Sequence, residues 1–137
     1  MDLSLALSHH TGEGLSRCFR VGRLRLCARC SGIWPALLLG MALQRLWLPP
    51  RGRVALAVEL GLLWPALWDW ARGQGRPDLG TNPGRLAVGL AFGLALSRAG
   101  VVARVWGYSS PEVAVPFLLC FSWLALAARH SAIGSAS

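Results

Sequence analysis

The chain has 137 residues, of which 54% are hydrophobic and only 15% are charged. Soluble domains carry roughly 25% charged residues, so this composition leaves too little polar surface for a water-facing globule and predicts a membrane protein. The net charge of +8 comes from arginines that flank apolar runs, a pattern that favours lipid contacts and does not predict nucleic-acid binding.

The segment before the first apolar run gathers two histidines and three cysteines. They are His9, His10, Cys18, Cys27 and Cys30. Two cysteines separated by two residues can hold one metal ion from a tight turn, and a third cysteine with one histidine completes the tetrahedral set of a structural zinc site. The sequence therefore predicts zinc bound by His10, Cys18, Cys27 and Cys30, with His9 as the alternative histidine. Another divalent metal would fit the same set.

Two other interpretations of these cysteines remain open. Cys27 and Cys30 are spaced like a thiol redox pair, although the strand-helix-strand pattern that usually accompanies such a pair is missing. The cysteines can also be small buried apolar residues near a helix start, as we expect for Cys120. Arginines in the same segment are expected to keep the thiols deprotonated.

Four apolar segments follow, each close to the roughly 20 residues that span a bilayer. They cover about 31–48, 54–70, 83–106 and 111–128. Backbone polar groups in lipid must be satisfied within the segment, so we expect helices. The predicted fold class is all-α, a polytopic bundle of four transmembrane helices joined as hairpins. The predicted organisation is a cytoplasmic metal-binding segment at 1–30, a transmembrane domain at 31–130 and a short tail at 131–137.

The arginines also predict the orientation in the membrane. Five of them precede the first apolar segment, and such a bias holds the adjoining terminus in the cytoplasm. Four spans then return the C-terminus and the central loop to the cytoplasmic side. We therefore expect a multi-pass protein of the cell (inner) membrane with both termini in the cytoplasm.

Two features within the apolar segments need a packing partner. Glu59 lies inside the second segment, where a carboxylate costs roughly 2.5–3.5 kcal/mol to insert, so it should face the bundle, with Gln44 or Arg45 as partner, or be protonated. Alternatively, it lies at a shallow depth near the start of the segment. Gly89 and Gly93 form a small-x3-small face that favours close helix packing and would also suit a homo-oligomer.

The central loop brings polar residues to the same membrane face as the cysteines. Asp69 ends the second segment, and Asn82 and Arg85 open the third, so these three residues are predicted to line an anion-binding pocket there. Each also has a simpler interpretation. Asn82 before Pro83 can be the N-cap of a helix, Arg85 can extend to lipid headgroups, and Asp69 can neutralise Arg72 or Arg85.

The motif C-x-R-C-x-G at Cys27–Gly32, which leads into an apolar segment, resembles a family of small bacterial and archaeal membrane proteins, domain of unknown function 2085. The resemblance covers roughly His9 to Leu96. The later signature of that family matches Asp69, Asn82, Arg85, Gly89 and Gly93. Many members carry Cys-His where this chain has His9-His10. The resemblance implies the membrane architecture and a site at these residues, without implying a reaction.

Three functions are compatible with the sequence. The first is a membrane protein whose structural zinc ties the N-terminal segment to the first helix and shapes a surface for membrane lipid. The second is a membrane-embedded metalloenzyme that acts on a lipid or another anionic substrate, with Asp69 or His9 as the catalytic base. The third is a thiol redox protein that uses Cys27 and Cys30.

Overall fold

The computed structural model describes residues 16–22, 24–46, 51–75 and 80–134. Within these ranges, a two-stranded antiparallel sheet precedes four α-helices. The strands are β1 at Cys18–Val21 and β2 at Leu24–Cys27, and the helices are α1 at Ala28–Leu46, α2 at Arg53–Gly75, α3 at Asn82–Trp106 and α4 at Pro111–Gly134. Each predicted apolar segment overlaps one of these helices, so the chain is mostly helical.

The β-hairpin corrects the prediction of an all-α chain. Apolar and basic residues alternate through "FRV" and "LRL", the period expected of short strands, and Gly22 at the turn has a φ of 62° that glycine adopts readily. The register pairs Val21 with Leu24 beside the turn and Cys18 with Cys27 at the open end. The strands have only four residues each, which is why hydropathy did not reveal them.

Helices α1 and α3 form the most extensive contact between elements in the described part of the chain. Small residues on both helices allow their backbones to approach closely. They are Gly32, Ala36 and Gly40 on α1 and Gly89, Gly93 and Ser97 on α3. A Cβ atom on Gly93 would lie 2.5 Å from the Ile33 carbonyl oxygen and 2.9 Å from the Ala36 Cβ. The small-x3-small face predicted at Gly89 and Gly93 therefore packs against α1 of the same chain, and a homo-oligomer through that face stays a prediction.

The distribution of side chains is the reverse of that in a soluble bundle. Large apolar residues such as Leu38, Trp64 and Phe117 are exposed, whereas the fully buried side chains include those of Glu59 and Ser97. Exposed apolar patches of this kind mark surfaces that contact something other than water. Contact with lipid would account for these exposed apolar residues. Helices in lipid associate through small and polar residues, which are the ones buried here.

Two helices in the described ranges are long and apolar enough to cross a membrane. These are residues Arg53–Gly73 of α2 and the whole of α3, Asn82–Trp106. At 1.5 Å per residue, α3 measures about 37 Å, which exceeds the roughly 30 Å of a hydrocarbon core. Residues Pro111–Trp123 of α4 form a shorter apolar run.

Glu59 has a different partner from the one predicted. The carboxylate is fully buried, and its Oε2 accepts a hydrogen bond from Arg98 Nε of α3 at 3.2 Å. The predicted partner Gln44 instead donates from Nε2 to Ser97 Oγ at 2.9 Å. Glu59 therefore ties α2 to α3, whereas Gln44 ties α1 to α3.

The α1–α3 contact predicts opposite effects for two alanine substitutions in one helix. Gly93→Ala should lower the unfolding temperature in detergent, because the new methyl group meets the α1 backbone. Gly100→Ala is the matched control, since nothing lies within 4 Å of a Cβ at that position. Alanine exceeds glycine in helix propensity by about 1 kcal/mol, so Gly100→Ala should be neutral or slightly stabilising. Equal effects of the two substitutions would contradict the close contact.

The Glu59–Arg98 pair makes a second prediction. Arg98→Met should destabilise the protein by about 3–5 kcal/mol, because it leaves a buried carboxylate without its cation. The double variant Glu59→Leu/Arg98→Met should regain most of that loss, and Arg104→Met, at an exposed position of the same helix, should have little effect. Thermal unfolding in detergent checks all three variants, and a double variant no more stable than Arg98→Met would argue against the pair.

Candidate functional site

The β-hairpin lies against the C-terminal part of α2 and the N-terminal part of α3, and Asn82 is one of the residues that fix it there. The Asn82 side-chain amide Nδ2 donates to the carbonyl oxygens of Ser16 and Cys18, at 3.1 and 3.3 Å. The N-cap of α3 is Thr81, whose Oγ1 accepts from Gly84 N at 3.2 Å. Asn82 is thus the first residue of α3 and not its N-cap, and its side chain positions the N-terminal segment.

Arg17 makes a second link between the N-terminal segment and α2. Its Nη2 donates to the Gly73 carbonyl oxygen at 3.4 Å. From the sequence, Arg17 is expected only to orient the chain in the membrane and, with neighbouring arginines, to keep the thiols deprotonated. Its partner lies 56 residues later in the chain, so no local pattern pointed to this contact.

A two-point contact joins Arg29 at the start of α1 to Asp69 of α2. Arg29 Nε and Nη2 lie 2.7 and 2.6 Å from Asp69 Oδ2, and Nη2 also donates to the Asp69 carbonyl oxygen at 3.2 Å. Both side chains are about three-quarters buried. Paired contacts from one guanidinium are stronger and more directional than a single ion pair. Arg29 is therefore the neutralising partner of Asp69, and it is the arginine inside the C-x-R-C motif.

Arg85 and Asp69 border one cavity of about 250 Å³. Arg85 is buried, and its charged neighbours are Arg17, Arg29 and Asp69. Arg72 also lines the cavity and places its guanidinium over the Trp68 ring, 5.5 Å from the centroid. The remaining walls are Pro65, Trp68, Gly80, Thr81, Gly84 and Val88. Two of the three residues predicted to bind an anion thus meet at one cavity, and the third, Asn82, holds the hairpin nearby.

The charge around this cavity is strongly unbalanced. Arg72 and Arg85 line it together with Asp69, and Arg17 and Arg29 are charged neighbours of Arg85. These four arginines form the arginine cluster, and Asp69 is the one carboxylate that the structure describes among them. Across these described residues the formal charge is +3. Clustered cations in a partly desolvated cavity raise the local concentration of anions and bind them by charge-assisted hydrogen bonds.

The three N-terminal cysteines converge at the open end of the hairpin. Cys18 and Cys27 are direct cross-strand partners, and the Cys27 side chain is hydrogen-bonded to that of Cys30 one turn into α1. Cys27 is 2% exposed and is an electrostatic neighbour of Arg85. The hairpin therefore brings together thiols that are nine residues apart in sequence, and places them beside the arginine cluster.

The protonation of Cys30 differs from the expectation. Burial, followed by the neighbouring Cys27, raises the pKa of the Cys30 thiol to about 11, and the smaller opposing effect of Arg29 does not offset this. Cys30 is therefore a neutral thiol near pH 7 when no metal is bound. Adjacent arginines do not by themselves produce a thiolate at this position.

Among the residues that the structure describes, no group of three or more His, Cys, Asp and Glu side chains is arranged to hold a metal ion. His9 and His10, the predicted histidine ligands, lie outside the described residues. The candidate base Asp69 is engaged by Arg29. Cys120 lies on α4 and borders a separate, apolar cavity, consistent with the packing role expected of it.

The hydrogen bonds of Asn82 lead to a prediction about the hairpin. Asn82→Ala should accelerate amide hydrogen exchange in residues 16–27, because two-stranded hairpins are marginally stable without other contacts. The matched control is Thr81→Ala, which should loosen the first turn of α3 at a cost of about 1 kcal/mol and leave the hairpin protected. Hydrogen exchange read by mass spectrometry separates the two effects. Unchanged exchange of the hairpin in Asn82→Ala would show that other contacts hold it.

No curated protein and no solved structure matches the chain significantly. A family model described as "Predicted membrane protein (DUF2085)" matches residues 10–98, more than half of the chain. The matched region includes the hairpin, α1, α2 and the first part of α3, and so contains every residue of the arginine cluster and the three converging cysteines. The chain belongs to this family of predicted membrane proteins, DUF2085.

Proposed function

We propose that this membrane protein binds an anionic group, a phosphate or one of similar charge, in the cavity beside Arg85. The observation that carries the proposal is the positive charge of the cavity, which Arg72 and Arg85 line together with Asp69, and to which Arg17 and Arg29 add as charged neighbours of Arg85. Asp69 is already paired with Arg29, and the described residues that line the cavity or surround Arg85 carry more positive than negative charge.

The residues of the site have different roles in this proposal. Arg85, which is buried at the cavity, and Arg72, which is more exposed, supply the contacts to the anion. Asp69 fixes Arg29, and through it the start of α1, and does not touch the anion. Asn82 holds the N-terminal end of the hairpin near the cavity. Asp69 and Asn82 thus become positioning residues, whereas the sequence analysis had predicted that they bind the anion.

A titration of the purified protein with inorganic phosphate, followed by ³¹P nuclear magnetic resonance in neutral detergent, tests this function. Arg85→Gln should weaken binding about tenfold or more, because a charge-assisted hydrogen bond contributes about 1.5–3 kcal/mol. Arg72→Gln should weaken it less. Arg104→Gln, on α3 away from this cavity, is the matched control and should leave the affinity unchanged.

Two results would overturn the proposal. One is that the wild-type protein does not bind phosphate. The other is equal affinity in the wild-type and both cavity variants. Arg72→Gln keeps the test decisive if Arg85→Gln does not fold, because Arg72 is exposed and its replacement leaves the buried residues in place.

A second candidate function is the structural zinc site that clips the N-terminal segment to α1. The pairing of Cys18 with Cys27 across the hairpin and the contact of Cys27 with Cys30 support it, with His10, or alternatively His9, as the fourth ligand. Binding would require these three thiols to draw together, since the described residues do not form a metal-holding group. Three thiolates and one Zn²⁺ carry a charge of −1, so the neighbouring arginines would stabilise the bound state. Four protein ligands leave no open position, which is typical of a structural site. A metalloenzyme acting on a lipid or another anionic substrate would instead use three ligands and keep one position for water.

Elemental mass spectrometry of the purified protein tests the zinc site. We expect about one zinc per chain in the wild-type protein, a loss of zinc in Cys27→Ser and retention in the matched control Cys120→Ser. Separate His9→Ala and His10→Ala variants then show which histidine binds. Absence of metal from freshly purified, reduced protein would refute both metal proposals. The thiol redox function of Cys27 and Cys30 stays an alternative proposal.

We further propose that all four helices cross the membrane and that both termini lie in the cytoplasm. The exposed apolar side chains on α1 and α4 support this, among them Leu38, Leu39, Phe117 and Phe121. The arginine cluster then lies at the cytoplasmic side, where anionic headgroups attract basic segments.

A further inference from the structure

An apolar cavity of about 210 Å³ lies where all four helices meet. Ile33 of α1, Leu67 of α2, Phe92 of α3 and Cys120 of α4 each contribute to its wall, which is almost wholly apolar. An apolar cavity offers no partners to water and accepts hydrocarbon readily. The proposed anion site does not account for it.

The apolar cavity adjoins the cavity at Arg85. Val88 lines both of them. Arg29 borders the apolar cavity, and its ion-pair partner Asp69 borders the polar one. The Arg29–Asp69 pair therefore lies at the boundary between the cavity at Arg85 and the apolar cavity.

We infer that the bound anion is the head of a lipid, and that one hydrocarbon chain of this lipid occupies the apolar cavity. The inference rests on the proposed function, since the arginine cluster supplies the charge that holds the head. A free phosphate would occupy only the cavity at Arg85. Basic pockets between membrane helices are where lipid head groups bind. Here an apolar cavity adjoins such a pocket, with Val88 lining both.

The shape of the apolar cavity argues against a protein segment as its occupant. A helix with its side chains is about 10–12 Å across, so it would have to separate helices that already meet around the cavity. A single hydrocarbon chain needs no such rearrangement. Trp70 lines the apolar cavity and Trp68 the basic one, and tryptophan favours the level of the membrane interface, where the head of a lipid joins its chains.

The test compares dodecyl phosphate with inorganic phosphate as probes of the full-length protein in neutral detergent. Ala66→Phe places a ring in the apolar cavity, because Ala66 forms part of its wall. We expect this variant to bind dodecyl phosphate at least tenfold more weakly and inorganic phosphate as well as the wild-type protein does. The matched control is Ala57→Phe, at an exposed position of the same helix, which should bind both probes normally.

Partitioning of dodecyl phosphate into detergent affects all variants equally, so the comparison between Ala66→Phe and Ala57→Phe is the decisive one. Equal binding of dodecyl phosphate by these two variants would overturn the chain site and leave the anion site standing. Failure of the wild-type protein to bind either probe would overturn the proposed function itself. If Ala66→Phe does not fold, Ala66→Leu gives the same test with a smaller side chain.

Discussion

The close approach of α1 and α3 is the constraint on which the rest of the site depends. Gly89 of α3 lies directly against the backbone of Arg29, so the start of α1 is fixed relative to α3 at the residue that also reaches Asp69 on α2. A side chain at position 89 would collide with the backbone of Arg29 and so disturb its contact with Asp69. The small residues at this helix contact thus take no part in the chemistry of the site, but they determine the position of Arg29.

The polar interior follows from the same arrangement. Once glycine and alanine bring the helices together, charged and polar side chains such as Glu59, Arg98 and Ser97 can satisfy one another between them, away from lipid. Large apolar residues are left outside, which suits a hydrocarbon solvent and would be costly in water. The two cavities lie where the helix packing is incomplete, one beside a cluster of arginines and one among apolar walls.

The sequence predicted the helices well because long apolar runs identify them without any knowledge of their packing. The number of apolar segments also led to the expectation that the cysteines and the Asp69–Arg85 region lie on one membrane face, and in the structure Cys27 is an electrostatic neighbour of Arg85. The individual pairs were wrong where they depend on how each helix is rotated. Glu59 pairs with Arg98 and Asp69 with Arg29, and hydropathy does not distinguish these arginines from their neighbours. The hairpin was missed because strands of four residues are too short for the alternation of apolar and polar residues to identify them reliably.

The links that hold the hairpin also determine when it can form. Its partners on α2 and α3 lie 56 to 66 residues later in the chain. During synthesis, the N-terminal segment therefore emerges long before the residues that fix it, and it can settle only after the third helix has been made and has packed against the first. The hairpin is then the last part of the site to reach its final position, and it can do so only when α1, α2 and α3 are correctly assembled.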